Sequence, residues 1–297
     1  MSEDFKVLTL VGSPNGKRSN TLALANDFLD DVEAAGLPMQ RTAIVLGDLE
    51  IRPCKGCWNC TMEKPCPLRG DDVAGIKQKM IECDMLVLAS PVYTNQVTAQ
   101  MKALIDRLFT WCHVFPLIGK YGLSVTTTGN DGFDEVGSFL EKMLATYGIS
   151  SFGTVAGTGA YTSGFFPRRE SEREKHKKLA RSVAQTVTAG KQPTATKWRK
   201  KMFKVMKRKL GGVRLIHYVA NGPSEKMPDP PAMMVRMIKN VMNKRNVTHY
   251  QVARLSRLMT FELRWWADRD WFSAKRFGQI AAKPVPDGFK ATDRLVG

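Results

Sequence analysis

Strand-like and helix-like runs alternate through the first 165 or so residues. That alternation restricts this part of the chain to a parallel sheet covered by helices. Apolar, β-branched runs fall at residues 6–12, 41–46, 85–90, 123–128 and 154–158. Helical periodicity fills the gaps near 21–33, 72–81, 98–109 and 135–147. Parallel neighbours cannot be joined by hairpins, so each connection must cross a face of the sheet. A sheet of this kind binds ligands beyond the carboxyl ends of its strands, where strand order reverses.

The expected fold class is therefore α/β: a flavodoxin-like, doubly wound, five-stranded parallel sheet. A charged helix over residues 168–187 would close the sheet on one face, and Gly190 to Thr194 reads as a linker. The division falls into residues 1–190, the sheet domain, and 191–297, a basic and mostly helical C-terminal extension. Charge supports this split. Residues 1–165 hold 14 Lys and Arg against 18 Asp and Glu, whereas residues 166–297 hold 31 against 10, so all of the +17 net charge belongs to the second part. A hydrophobic fraction of 43% supplies a buried core. The N-terminal residues lack a basic, apolar signal segment, and no run of about 18 uncharged apolar residues occurs. With four of six cysteines in one metal-like run, a reducing cytoplasm is the expected compartment.

Three loops stand at the predicted carboxyl ends. The first, Gly12 to Thr21, follows the first strand and opens the first helix. Hydroxyls, a basic side chain and free backbone amides at a helix start suit a phosphate monoester. Neither a Walker A loop nor the G-x-G-x-x-G fingerprint is present, so a ribityl phosphate fits better than a triphosphate. The second loop, Ser90 to Asn95, can offer backbone groups and Tyr93 to a flat ring. The third, Thr126 to Asn130, is small and polar. Alone, each loop is an ordinary turn; together they suit a flavin.

Cys54, Cys57, Cys60 and Cys66 form a C-x2-C-x2-C-x5-C run. Such spacing brings several thiolates to one side of a compact loop, as in iron–sulfur proteins, and Cys66-Pro67 matches the Cys-Pro ending of bacterial ferredoxin runs. Zinc more often pairs two C-x2-C halves or recruits histidine, and no histidine lies in this loop. A zinc knuckle, a disulfide pair and unengaged thiols remain the alternatives.

The segments GSPNGKRSNTLAL, the cysteine run followed by Asp71-Asp72, and SPVYTNQVTAQMKALIDRL together resemble the iron–sulfur flavoprotein family, among the flavodoxin-like NAD(P)H-dependent FMN oxidoreductases. The resemblance implies that Ser13, Arg18, Ser19, Asn20 and Thr21 hold the FMN phosphate. It implies that Pro91, Val92, Tyr93, Thr94 and Asn95 line the isoalloxazine ring, beside Thr128 and Gly129 of the third loop. Cys54, Cys57, Cys60 and Cys66 would ligate a [4Fe–4S] cluster. It further implies NAD(P)H or ferredoxin as electron donor and a homodimer or higher assembly. The extension departs from the family's compact pattern.

Electron transfer of this kind uses cofactor chemistry rather than a catalytic triad. The four histidines are scattered without partner spacing, and Asp71 and Asp72 read as favourable negative charge at a helix start. In the extension, basic amphipathic stretches with Trp and Met faces within residues 197–277 suit peripheral contact with an anionic membrane. No zinc finger, RNP or helix-turn-helix signature supports nucleic acid. Two other function classes compete: a cluster-free NAD(P)H:FMN or quinone reductase, and a flavin- or metal-sensing binding protein acting through the extension.

Overall fold

The computed structural model describes residues 5–57, 59–61, 66–114, 116–158, 170–194, 196, 198, 200 and 201. Five parallel strands form one sheet in the order β2-β1-β3-β4-β5: β1 Phe5–Val11, β2 Met39–Val45, β3 Met85–Pro91, β4 Tyr121–Thr128 and β5 Ser150–Thr158. Six helices accompany them: α1 Asn20–Ala34, α2 Val73–Glu82, α3 Ala99–Arg107, α4 Trp111–Val114, α5 Phe133–Thr146 and α6 Glu170–Thr188. This is the flavodoxin-like order, with its switch point between β1 and β3.

Central strands are buried on both faces, so β1, β3 and β4 carry nearly continuous apolar or small residues. On one face Val7, Val11, Met85, Val87 and Leu123 pack against Leu24, Phe28 and Val32 of α1 and Ala180 and Val183 of α6. On the other, Leu8, Leu10, Leu86 and Leu88 meet Ile76 and Met80 of α2, Met101 and Leu104 of α3, and Leu140 and Leu144 of α5. Edge strand β2 buries neither face fully.

Observed elements match the expected ones to within four residues at each end. The one change of kind lies in 98–109, where α3 ends at Arg107 and a short separate helix, α4, follows. The linker expected at 190–194 runs back along the sheet. The Tyr121 hydroxyl donates to the Lys191 carbonyl (3.0 Å) and the Gln192 amide to the Gly119 carbonyl (2.9 Å). Lys142 Nζ sits 5.3 Å from the ring centroid of Trp198, a cation–π distance. Beyond residue 201, the expected helices of the extension lie outside the described residues. No helix among the described residues is long and apolar enough to cross a membrane.

Close packing at the end of β1 turns on one glycine. A Cβ on Gly12 would stand 2.8 Å from both Met101 Cβ and Thr98 Oγ1, and Met101 Cβ is fixed by the backbone of α3. Gly12→Ala should therefore destabilise the protein by about 1–3 kcal/mol. Gly75→Ala, on the exposed side of α2 with no atom within 4 Å, should stabilise it by about 0.5–1 kcal/mol. Urea unfolding of the two variants checks both signs.

Candidate functional site

The three predicted loops meet at the carboxyl edge of the sheet, and hydrogen bonds show how. In the first, the Gly12 amide donates to the Ala89 carbonyl (2.7 Å), and the Thr98 hydroxyl donates to the Gly12 carbonyl while accepting from the Met101 amide (3.3 Å). Thr98 is thus both the N-cap of α3 and the strut under the loop. Ser13 Oγ accepts from the Asn15 amide (3.2 Å), and a 3₁₀ turn over Gly16–Arg18 follows. Ser19 caps α1, its Oγ accepting from the Leu22 amide (3.2 Å). An accepting hydroxyl keeps its own proton to donate. Ser13 and Ser19 are buried, Asn20 is half-buried, and Lys17 and Arg18 are exposed. The positive end of the α1 dipole lies here as well.

Thr21 behaves differently from its neighbours. Its hydroxyl is buried and pairs with the Thr127 hydroxyl at 2.6 Å, tying the first loop to β4. The second loop is tied to the same strand by the Val92 amide, which donates to the Thr127 carbonyl (2.8 Å). Thr127 therefore joins all three loops.

From Pro91 the chain enters a tight turn. Tyr93 and Gln96 exchange both backbone hydrogen bonds (2.9 and 3.0 Å) around Thr94 and Asn95, which have φ of 49° and 56°. Two consecutive left-handed residues without glycine store strain of about 1–3 kcal/mol each, and β-branched Thr94 is the less tolerant. The turn is held from the other side by Gly132, where a Cβ would stand 2.8 Å from Asn95 Oδ1 and Val92 Cγ1. Tyr93 is 47% exposed at its head, a large aromatic surface beside the expected ring site. Thr128 closes the third loop, its hydroxyl donating to the Asp131 carbonyl (2.6 Å) and accepting from the Asn130 amide (3.2 Å), with Gly129 exposed between.

The cysteine loop lies in the connection between β2 and α2. Cys54, Cys57, Cys60 and Cys66 line one open pocket with Lys77 of α2 and Arg107 of α3. None is in a disulfide. Among the described residues no three His, Cys, Asp or Glu side chains stand close enough to grip one metal ion. Burial, then the neighbouring thiols, raises the pKa of Cys60. Burial, then the like charge of Arg107, lowers that of Lys77.

What holds this loop in place is invisible in the sequence. Asp71 and Arg107 form a buried ion pair, with side chains 2% and 7% exposed. Arg107 also donates to the Arg52 carbonyl (3.0 Å) and the Leu68 carbonyl (2.9 Å), and the Arg52 amide donates to Asp71 (3.2 Å). One ion pair thereby clasps both ends of the loop to α3. Asp72 occupies the N-cap position of α2 but makes no side-chain cap bond; its carboxylate accepts from the Glu50 amide (2.8 Å). Both aspartates stand at the helix start as expected, Asp72 at the N-cap and Asp71 accepting from the Val73 amide, and both carboxylates also accept hydrogen bonds from the cysteine-loop segment. Thr98 and Arg107, which brace the loops, and Lys77, which lines the pocket, are positions that spacing alone did not reveal. Cys83 is a buried thiol with its pKa pushed up to about 11 by burial, whereas Cys112 is half-exposed.

Asp71→Asn should cost about 3–5 kcal/mol, since it leaves the Arg107 charge buried without its partner. Burial opposes ionisation of Asp71, but hydrogen bonds from Arg107 and Arg52 and the Arg107 charge outweigh it, so its pKa lies below the ordinary 3.8. The clasp therefore stabilises fully above that ordinary value and is lost as pH falls through the lowered one. Denaturant titrations from pH 7 down to pH 2 check both points: the variant should lack the part of the acid destabilisation that falls below 3.8.

Comparison with known proteins agrees with this geometry. The family model for NADPH-dependent FMN reductase matches residues 5–162. An iron–sulfur flavoprotein of Archaeoglobus fulgidus is 34% identical over 156 residues, covering 52% of this chain and 69% of that one. One of Methanocaldococcus jannaschii is 41% identical over 121 residues, covering 41% of this chain and 61% of its own length. Among solved structures, the apo form of an NADH:FMN oxidoreductase superposes with a TM-score of 0.46 at 18% identity, covering 66% of this chain and 94% of that one. The chain belongs to the NADPH-dependent FMN reductase family, among its iron–sulfur flavoproteins, and is an FMN-dependent oxidoreductase.

Proposed function

We propose that this oxidoreductase passes electrons between a reduced donor and an acceptor through FMN and a [4Fe–4S] cluster. The observation that carries the reading is the shared pocket: four cysteines, dispersed over 13 residues of sequence from Cys54 to Cys66, line one cavity beside the cations Lys55, Lys77 and Arg107. A tetrahedral single-ion site needs all four sulfurs about 2.3 Å from one metal. A cubane spreads its ligands, one thiolate to each iron. The donor set is all sulfur, the set that iron–sulfur clusters take, and this chemistry supports the second.

Bound FMN would accept a hydride and release its electrons singly, and a bound cluster would carry single electrons. The chain's own residues do the rest. Ser13, Arg18, Ser19 and Asn20, with the first amides of α1, hold the phosphate. Thr21, also expected to bind the cofactor, does so by fixing this loop to β4 through Thr127. Pro91 to Asn95 line the ring, with Tyr93 as its aromatic contact, and Thr128 and Gly129 complete the third side. The strained turn presents backbone groups there without needing to reorganise when the cofactor binds.

The donor in this reading is NAD(P)H, as the family's description indicates, with ferredoxin as the alternative. The chain assembles as a homodimer or larger, its sheet domain ends at residue 190, and residues 197–277 contact an anionic membrane surface.

The test is chemical. Protein purified without oxygen should contain one FMN per chain, and iron and acid-labile sulfide at about four each per chain. FMN without iron after reconstitution would remove the cysteines from electron transfer and leave a cluster-free reductase.

A further inference from the structure

Lys77 is 3% exposed, yet it lines the cysteine pocket, and no hydrogen bond or ion pair reaches it among the described residues. Buried ammonium groups are costly unless paired. Its electrostatic neighbours are Arg107, Cys66, Cys60 and Asp71, and Lys55, Cys54, Cys57 and Asp106 line the same pocket, Asp106 being paired with Lys102. Arg107 is a like charge. Asp71, the single carboxylate of the first four, is already committed to Arg107. What is left to balance its charge is the cysteines of the pocket, Cys60 and Cys66 foremost.

From this we infer that Lys77 is the buried counter-cation of the cysteine-bound centre, and that its charge favours the centre's reduced state. The inference rests on the cluster reading proposed above. Four thiolates give a bound cluster net negative charge, and that charge grows when one electron is added. A fixed positive charge against the sulfurs stabilises the more negative state, and local charge is among the levers that set cluster potentials. Position supports the assignment: Lys77 lies one turn into α2, and the N-cap of that helix is tied through Asp72 to Glu50 at the start of the cysteine loop. Its backbone is thereby held in register with the sulfur ligands.

The experiment compares full-length holoprotein of wild type, Lys77→Met and Lys77→Arg. Each is titrated anaerobically with dithionite, the cluster is followed by its visible and paramagnetic spectra, and FMN and iron are measured on the same samples. At the wild-type midpoint potential, Lys77→Met should show a reduced-to-oxidised ratio at least tenfold lower, a shift of about 59 mV for a one-electron couple. Lys77→Arg should stay within about threefold, by the same conversion. Melting of the iron-free proteins supplies a readout independent of the cluster: Lys77→Met should melt no lower than wild type, because it removes an unpaired buried charge. Loss of iron from Lys77→Met with unchanged apo melting would support the same role. An unchanged midpoint at full iron content would overturn it, as would lowered apo melting without a potential shift. Should wild type itself hold FMN but no iron, the cluster reading fails first, and the iron assay shows that before any variant is compared.

Discussion

The ion pair between Asp71 and Arg107 is the interaction on which the placement of the cysteine loop depends. The loop spans the connection from β2 to α2, and Arg107 gives its two ends one hydrogen bond each besides its two to Asp71. A salt bridge this deeply buried gives little net stability compared with an apolar pair of the same volume. Its value is positional: Arg107 sits on the last turn of α3, and α3 begins at Thr98, the strut beneath the phosphate loop. A single short helix therefore fixes the distance between the cysteine pocket and the flavin loops. Lys77, another cation of the pocket, comes from α2, which the same connection leads into.

At the flavin end the corresponding joint is Thr127. A parallel sheet delivers its loops to one edge, but it does not by itself lock them together. Here the Thr127 hydroxyl and carbonyl take one bond from the first loop and one from the second, and the third loop begins at the next residue. Strain in the Thr94–Asn95 turn is tolerated because Gly132 packs directly against it. Rigid loops of this kind suit a cofactor held in place over many turnovers, since little ordering remains to be done when it binds.

Much of this was legible in the residues themselves. Buried central strands read as continuous apolar runs, and turn-forming loops at fixed points marked their ends, so the sheet and its order of elements follow from pattern. The phosphate loop and the cysteine run are local in sequence, and local spacing is what motifs encode. Asp71 and Arg107 stand 36 residues apart in chain order on different elements, and nothing periodic links them. Read locally, Asp71-Asp72 is a helix start, and it is one; that both carboxylates also bond to the cysteine-loop segment follows only from the tertiary path of that loop. Thr21 shows the same limit. Its position in the motif suggested a ligand to phosphate, but which way its hydroxyl faces depends on Thr127, more than a hundred residues away. Lys77 was hidden for the opposite reason, since a lysine in a basic-looking helix reads as a solvated face.

The account's central claim is that the Asp71–Arg107 pair holds the cysteine loop locally while the sheet stands independently. Amide hydrogen exchange in wild type and Asp71→Asn tests it most directly. The prediction is loss of protection at Arg52 and across residues 50–72, with β1, β3 and β4 as protected as in wild type. Unchanged exchange through the loop, or equal loss of protection across the sheet, would contradict it.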